Sequence, residues 1–363
     1  MRYRTEFRDP GRAARLVEAI HRMAGQPASF MEVCGTHTVA IFRHGLRRLL
    51  PESVRLISGP GCPVCVTPTA EIDRAIAIAA RSEVTLATFG DMLRVPGSRS
   101  SLEAARAAGC DVRVVYSTRD ALHMAAANPG RAVVFFGVGF ETTTPTVAAA
   151  LLEARQHGYD NFFVLPAHKL IPPAMRALLA AGEVRIDGFL CPGHVSAIIG
   201  AAPYAFIPAE HGIPCVIAGF EPLDILQGIA MLLAQRAAPR PGVAIQYRRG
   251  VPAQGNPIAR RCVAAVFSVC DAAWRGLGTI PDSGLRLRPD FAMHDASRAF
   301  PATLPEAQEP PGCLCGAVLR GVRTPDQCGL FAHTCRPEQP IGPCMVSSEG
   351  TCAAWYEYGG AVG

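Results

Sequence analysis

Residues 31–50 read MEVCGTHTVAIFRHGLRRLL: a short strand-like run, a loop with a cysteine and a histidine, then an amphipathic helical pattern. VRLISGPGCPVCVTP follows at 54–68 and VTLATFGDML at 84–93. A similar order returns as FFVLPAHKLIPPAMRALL at 162–179, VRIDGFLCPGHVSAIIG at 184–200 and PCVIAGFEPLDIL at 214–226. In this internal repeat His37 falls on His168, Cys62 on Cys191 and Phe89 on Phe220. Two similar strand-loop-helix units facing each other would set their strand-end loops around one cleft, where such folds bind ligands.

Other short apolar runs fit the same scheme. Strands are expected at Met31 to Val33, Val54 to Ser58, Val84 to Phe89, Val112 to Tyr116, Ala132 to Gly137, Phe162 to Leu165, Ile186 to Leu190 and Pro214 to Ala218. Helical patterns separate most of them, at Val39 to Leu50, Thr69 to Arg81, Leu102 to Gly109, Thr144 to His157, Pro173 to Ala181 and Pro222 to Gln235. That alternation is α/β with largely parallel sheets. An N-terminal helix is expected over residues 12–24, with Leu16, Ile20 and Met23 on one face. Beyond Gln235 the style changes to a Pro/Gly/Arg linker and a helical pattern from Ile258 to Trp274 that aligns Cys262, Val266 and Cys270. A loop-rich stretch and a Cys-dense tail follow.

At 363 residues the chain suits two or three domains of roughly 100–200 residues each. Hydrophobic residues make up 49% and charged residues 18%, which excludes a disordered or fibrous protein. The net charge of +5 is scattered. Arg43, Arg47 and Arg48 lack interleaved aromatics and read as a solvated helix face, so nucleic acid is not an expected partner. The N-terminal stretch has no uninterrupted apolar region of the secretory kind. The most apolar stretch, 197–220, is broken by Pro203, Pro208, Glu210, His211 and Pro214, before the ~18–20 residues of a spanning helix. No membrane association and a cytoplasmic location are therefore expected, and fourteen cysteines in a reducing compartment favour metal or redox chemistry over a disulfide scaffold.

Six of those cysteines, at 313, 315, 328, 335, 344 and 352, crowd the tail. Thiolates so close repel one another unless a cation neutralises them or some pair as a disulfide. Structural zinc takes ligands in close pairs of the C-x2-4-C kind, which the tail lacks. An iron-sulfur cluster also takes four thiolates but tolerates wider, irregular spacing, and it is the favoured reading. Spacing alone does not choose which four of the six would bind it.

In the first repeat unit Cys34 ends a strand just ahead of a helix that Thr36 or Thr38 could cap. A thiol in that setting is expected to have a lowered pKa and to bind metal or act as a nucleophile, with His37 as a second ligand or proton donor. GPGCPVCVTP is a stronger signal. Gly59 and Gly61 permit a tight turn, Cys62 and Cys65 form C-x-x-C, and Pro68 opens the next helix. A vicinal dithiol that cycles with its disulfide fits that context. Half of a zinc site is the plainer alternative, weakened because the chain has no second C-x-x-C. FFGVGFETTTP, from Phe135 to Pro145, presents Glu141 and three threonines at a helix start but lacks the glycine and lysine of a phosphate loop. In CPGHV, at 191–195, His194 replaces the second cysteine, so this counterpart holds no dithiol.

Taken together, CGTHT, GPGCPVCVTP, GFETTTP, LPAHKLIPPAM, CPGHVSAIIG and the tail ending GPCMVSSEGTCAAWYEY resemble the HypD family of nickel-iron hydrogenase maturation factors, from about residue 12 to the end. The resemblance implies an α/β fold of two Rossmann-like parallel-sheet domains related by a pseudo-repeat, plus a mostly helical and loop-rich iron-sulfur domain. On this sequence the expected divisions are an N-terminal helix within 1–25 packed on the C-terminal domain, a first α/β domain over 26–145, a second over 146–236 and the iron-sulfur domain over 237–363. It also implies a role: with a small HypC-type chaperone, a scaffold on which an iron with two cyanides and one carbon monoxide is assembled. A HypE-type partner donates cyanide, and the finished unit passes through the chaperone to the hydrogenase large subunit. Cys34 would hold the substrate iron with His37 beside it, Cys62 and Cys65 would supply electrons, and Cys313, Cys328, Cys335 and Cys352 would bind a 4Fe-4S cluster. Cys315 and Cys344 would be a redox pair next to that cluster, with Glu349 near the pair.

The chemistry is coherent. Soft thiolate suits low-spin iron carrying cyanide and carbon monoxide, and reductive cleavage of a sulfur-carbon bond consumes the two electrons that one dithiol delivers. Such a chain is a redox-active assembly scaffold more than a conventional turnover enzyme. The alternative of a different class is a free-standing iron-sulfur oxidoreductase acting on a small metabolite.

Overall fold

The computed structural model describes residues 5–359. Residues 1–4 of the expected N-terminal segment and 360–363 of the expected C-terminal domain lie outside the described residues. In chain order the strands are β1 (Ala28–Glu32), β2 (Val54–Ser58), β3 (Val84–Thr88), β4 (Val112–Val114), β5 (Ala132–Gly137), β6 (Phe162–Pro166), β7 (Gly188–Pro192), β8 (Cys215–Ala218), β9 (Val243–Ile245), β10 (Phe267–Trp274) and β11 (Gly278–Leu287). One sheet has the order β2-β1-β7-β8-β9 and a second β4-β3-β5-β6, both wholly parallel; β10 and β11 form an antiparallel ribbon. This is the α/β, Rossmann-like architecture expected. β3 and β7 are buried along their whole length, as strands with helices on both faces must be.

The sheets divide the chain differently from the sequence boundaries 26–145 and 146–236. β1 and β2 leave for the second sheet at β3, and the chain returns to the first sheet at β7. Each repeat unit therefore contributes strands to both sheets. The joint is β1 against β7, where Phe30 pairs with Gly188. A Cβ at Gly188 would stand 2.9 Å from the Phe30 ring, so a close-packing glycine admits the returning strand.

The N-terminal helix, Pro10–Met23, starts on an Asp9 cap but does not pack on the C-terminal region as expected. Its buried Ile20 shares a core with Phe30 of β1 and with Ile225, Leu226 and Ile229 of the helix Pro222–Arg236. That helix buries one face on the first sheet, and the N-terminal helix covers its remaining apolar side.

The pattern from Ile258 to Trp274 is not one helix. It is helical over Pro257–Val266 and extended from Phe267. The i, i+4, i+8 spacing of Cys262, Val266 and Cys270 mimics a helical face, but beyond Val266 the burial alternates with period two, as a strand requires. The ribbon it starts is pinned to the second sheet, with the Leu170 N–H donating to the Ser283 carbonyl at 2.9 Å. The expected strands and helices of the two sheets are present with ends shifted by a few residues, except that the helix expected over Val39 to Leu50 is the helix Gly35–Arg43 followed, after Gly45 at φ 60°, by a separate 3-10 turn Leu46–Leu49. Strand β9 and the helices Thr118–Ala127, Gly193–Ile199 and Phe206–His211 were not anticipated.

Candidate functional site

The loops at the carboxyl ends of β1, β2, β5 and β7 open on one cleft of ≈ 410 Å³, within the roughly 300–1,000 Å³ of small-molecule sites. Cys34, Thr36, Gly61, Phe140, Thr142, Thr143, His194 and Glu349 line it. Cys34 is the residue before the helix Gly35–Arg43 and is buried. Contrary to the expectation from the sequence, its pKa is not lowered: burial, and then the Glu349 carboxylate, push it up to about 12. Such a thiol ionises when a cation replaces the lost solvation.

Neither threonine caps the helix. The Thr36 hydroxyl donates to Glu349 Oε1 at 2.6 Å, and the Thr38 hydroxyl donates to Glu32 Oε1 at 2.5 Å. Glu32, 1% exposed, also accepts the Cys34 N–H at 3.2 Å. Burial pushes its pKa to about 7 despite those donors. Glu32 escaped the sequence reading, although a carboxylate within the apolar strand before Cys34 was the available signal. His37 is fully buried, and burial lowers its pKa to about 4. Its neutral ring therefore donates from Nε2 to the Gly219 carbonyl at 2.9 Å. The ring also lies 4.8 Å from Phe220, which stacks on His194 at 4.0 Å. His37 thus ties the Cys34 helix to the end of β8, with its Nδ1 unpartnered.

The C-x-x-C loop presses directly on Cys34. The Gly35 N–H donates to the Gly61 carbonyl at 2.9 Å, and a Cβ at Gly61 would stand 2.1 Å from the Cys34 nitrogen. Cys62 precedes the short helix Pro63–Val66, and its sulfur accepts the Cys65 N–H at 3.3 Å. The two sulfurs are 2.6 Å apart. Burial and the neighbouring Cys65 raise the Cys62 pKa; at Cys65 burial is outweighed by hydrogen bonds to Cys344 and Cys62, which lower it. The pair is poised to share one proton. Arg275, 4% exposed, donates to the Thr67 carbonyl at 3.0 Å and pairs with Glu309, which anchors this helix to the ribbon.

Cys344 continues the row. Its sulfur stands 2.7 Å from that of Cys315, and the carbonyl of the preceding Pro343 lies 3.9 Å from the Cys65 sulfur. All six tail cysteines line one cavity whose other walls include Leu314, Val318, Leu330, Phe331 and Met345. A Cβ at Gly342 would reach 2.6 Å from the Cys313 sulfur, and the Ile341 N–H donates to Cys335 at 3.3 Å. Among the described residues no three His, Cys, Asp or Glu side chains converge where a single metal ion would sit. The thiols surround a space instead of a point, with Cys315 and Cys344 on the side facing Cys65. Glu349 is placed by Thr36 at the Cys34 loop, where a Cβ on Gly35 would meet it at 2.6 Å.

The family model described as HypD, hydrogenase formation hypA family, matches residues 12–359. The chain is 48% identical to the hydrogenase maturation factor HypD of Rhodobacter capsulatus over 99% of both chains. It is 50% identical to that of Rhizobium leguminosarum bv. viciae over 99% of this chain and 96% of the relative. With that of Escherichia coli (strain K12) it shares 48% identity over 99% and 98%.

Proposed function

The chain belongs to the HypD family, and from that premise we propose that it is a hydrogenase maturation factor, a scaffold that builds an iron carrying two cyanides and one carbon monoxide at Cys34. The observation that carries this reading is the row of sulfurs Cys62, Cys65, Cys344 and Cys315, which runs from the Cys34 loop to the tail cavity.

The substrate iron is bound by the Cys34 thiolate in the cleft, shared with the N-terminal cysteine of a small HypC-type chaperone. Coordination takes the place of the solvation that burial denies this thiol. His37 and Glu32 hold the loop in place through the Gly219 carbonyl and the Cys34 N–H. A HypE-type partner presents cyanide as a thiocyanate. The sulfur-carbon bond of the thiocyanate breaks as Cys62 and Cys65 pass from two thiols to a disulfide. Their two electrons and two protons leave the donor as a thiol and the cyanide as hydrogen cyanide, which loses its proton on binding iron. Exchange with the Cys315 and Cys344 thiols returns the front pair to the reduced form; Cys344 follows Pro343, whose carbonyl lies 3.9 Å from the Cys65 sulfur.

The tail cavity fits a 4Fe-4S cluster held by Cys313, Cys328, Cys335 and Cys352: its donors are soft thiols, its remaining walls are apolar, and Gly342 leaves room beside Cys313. When bound, such a cluster supplies one-electron exchange beside the Cys315 and Cys344 pair. The finished iron unit leaves with the chaperone for the hydrogenase large subunit, in the cytoplasm. No helix among the described residues is long and apolar enough to cross a membrane. The test is infrared spectroscopy of the complex with the small partner. Cyanide and carbonyl bands that depend on both proteins are expected, whereas turnover of a soluble metabolite by the isolated chain would favour the oxidoreductase reading.

A further inference from the structure

A second cavity, of ≈ 280 Å³, lies apart from the cleft along the open edge of the first sheet. One wall is the whole of edge strand β2, and the facing wall is the tail, including Val318, Thr351 and Trp355. Three arginines line it, Arg47, Arg55 and Arg323, with Glu52 as the one acidic residue of the lining; the buried Glu32 also acts on Arg47. The ion pairs among the described residues leave all three guanidiniums out. Arg47 is held by aromatic faces, 4.4 Å from the Phe42 ring and 5.3 Å from that of Trp355, and its buried Nε has no hydrogen-bond partner.

Three like charges around one concavity repel each other, and an anion that enters it relieves that repulsion. Stacking fixes the Arg47 fork before binding, and a fixed fork suits planar two-point recognition of oxygen anions. We propose that this cavity binds an oxyanion, a phosphate or carboxylate group, clamped by the guanidiniums of Arg47, Arg55 and Arg323. The site is independent of the cleft and of the maturation role.

Its position suggests what it reports to. Val318 lines both this cavity and the six-cysteine cavity, and Thr351 immediately precedes Cys352. A bound anion would therefore sit beside the wall that the two cavities share.

Isothermal titration of the full chain, purified anaerobically at low ionic strength, tests the proposal with inorganic phosphate and separately with acetate. Saturable binding of at least one anion at one site is expected; phosphate alone would name a phosphoryl ligand, acetate alone a carboxylate. Arg55 and Arg323 are exposed, so Arg55→Ala and Arg323→Ala keep the fold, checked by circular dichroism. Each should weaken binding about tenfold or more, as the loss of a charged hydrogen-bond donor implies. Arg248→Ala, on a different cavity, should leave it unchanged. The proposal is overturned if neither anion gives saturable heat, or if both cavity variants retain wild-type affinity.

Discussion

At the Cys34 sulfur two requirements meet: the proposed iron site needs a thiolate, yet burial and Glu349 push this thiol up to about 12. Only a cation resolves the conflict, so Cys34→Ser is expected to abolish the infrared bands of iron-bound cyanide and carbon monoxide in the partner complex. The visible absorbance of the proposed tail cluster should remain; bands that persist would remove Cys34 from the iron. Glu141 carries a related cost without a ligand. Its Oε1 accepts the Ile171 N–H at 3.0 Å, its Oε2 is unpartnered, and burial raises its pKa from 4.5 to about 7. The folded state then binds more protons than the unfolded one between those values, so this residue's contribution to stability falls as pH rises from 4.5 to 7 and is flat above. Glu141→Gln keeps an acceptor for Ile171 and removes the charge. Relative to wild type it should gain stability from pH 5 to pH 8, by at most on the order of 3 kcal/mol; denaturation midpoints at the two pH values measure it, and an unchanged difference would mean that Glu141 does not titrate there.

The helix Pro63–Val66 is only four residues long, far below the length that is stable alone, and survives because its neighbours fix it. Gly61 lets its entry loop lie on Cys34, and Arg275 ties down its exit. Gly61→Ala would put a methyl 2.1 Å from the Cys34 nitrogen, so the loop must move. Iron loading in the partner complex should fall severalfold while cluster absorbance stays; normal loading would show that the loops need not touch. The tail pairs with this helix through Cys344, which separates two classes of cysteine by experiment. Cys62→Ala and Cys344→Ala should each abolish hydrogenase maturation in cells with the cluster retained, whereas Cys313→Ala should bleach the cluster. Intact maturation in Cys62→Ala would end the dithiol role.

At the scale of the whole molecule, the largest core is shared by the two sheets and takes in Cys315, Leu319, Cys344 and Val346 of the tail, while the distal tail has a separate small core of Phe331, Cys335, Met345 and Ala353. So small a core is one that the proposed cluster would hold in place. Stripping the cluster with an anaerobic chelator should leave the sheets folded and expose residues 312–342 to limited proteolysis; a chain that resists cleavage there, or that unfolds throughout, would contradict this division. Much of this was legible in the sequence, because period-two and period-3.6 apolar patterns and glycine-bounded loops are local signals. They located every strand of the two sheets except β9 to within a few residues, and picked out Cys34, Cys62, Cys65 and the six tail cysteines. Only the tertiary structure decided which sheet each strand joins, that the N-terminal helix rests on Pro222–Arg236, and that the pattern beyond Val266 is a strand. It also decided that Glu32, Glu349 and Cys344 meet the front loops, and that Cys34 has a raised pKa where its place before a helix had suggested a lowered one. Strand partners, desolvation and sulfur contacts across nearly three hundred residues depend on what the chain packs against, and no local pattern encodes that.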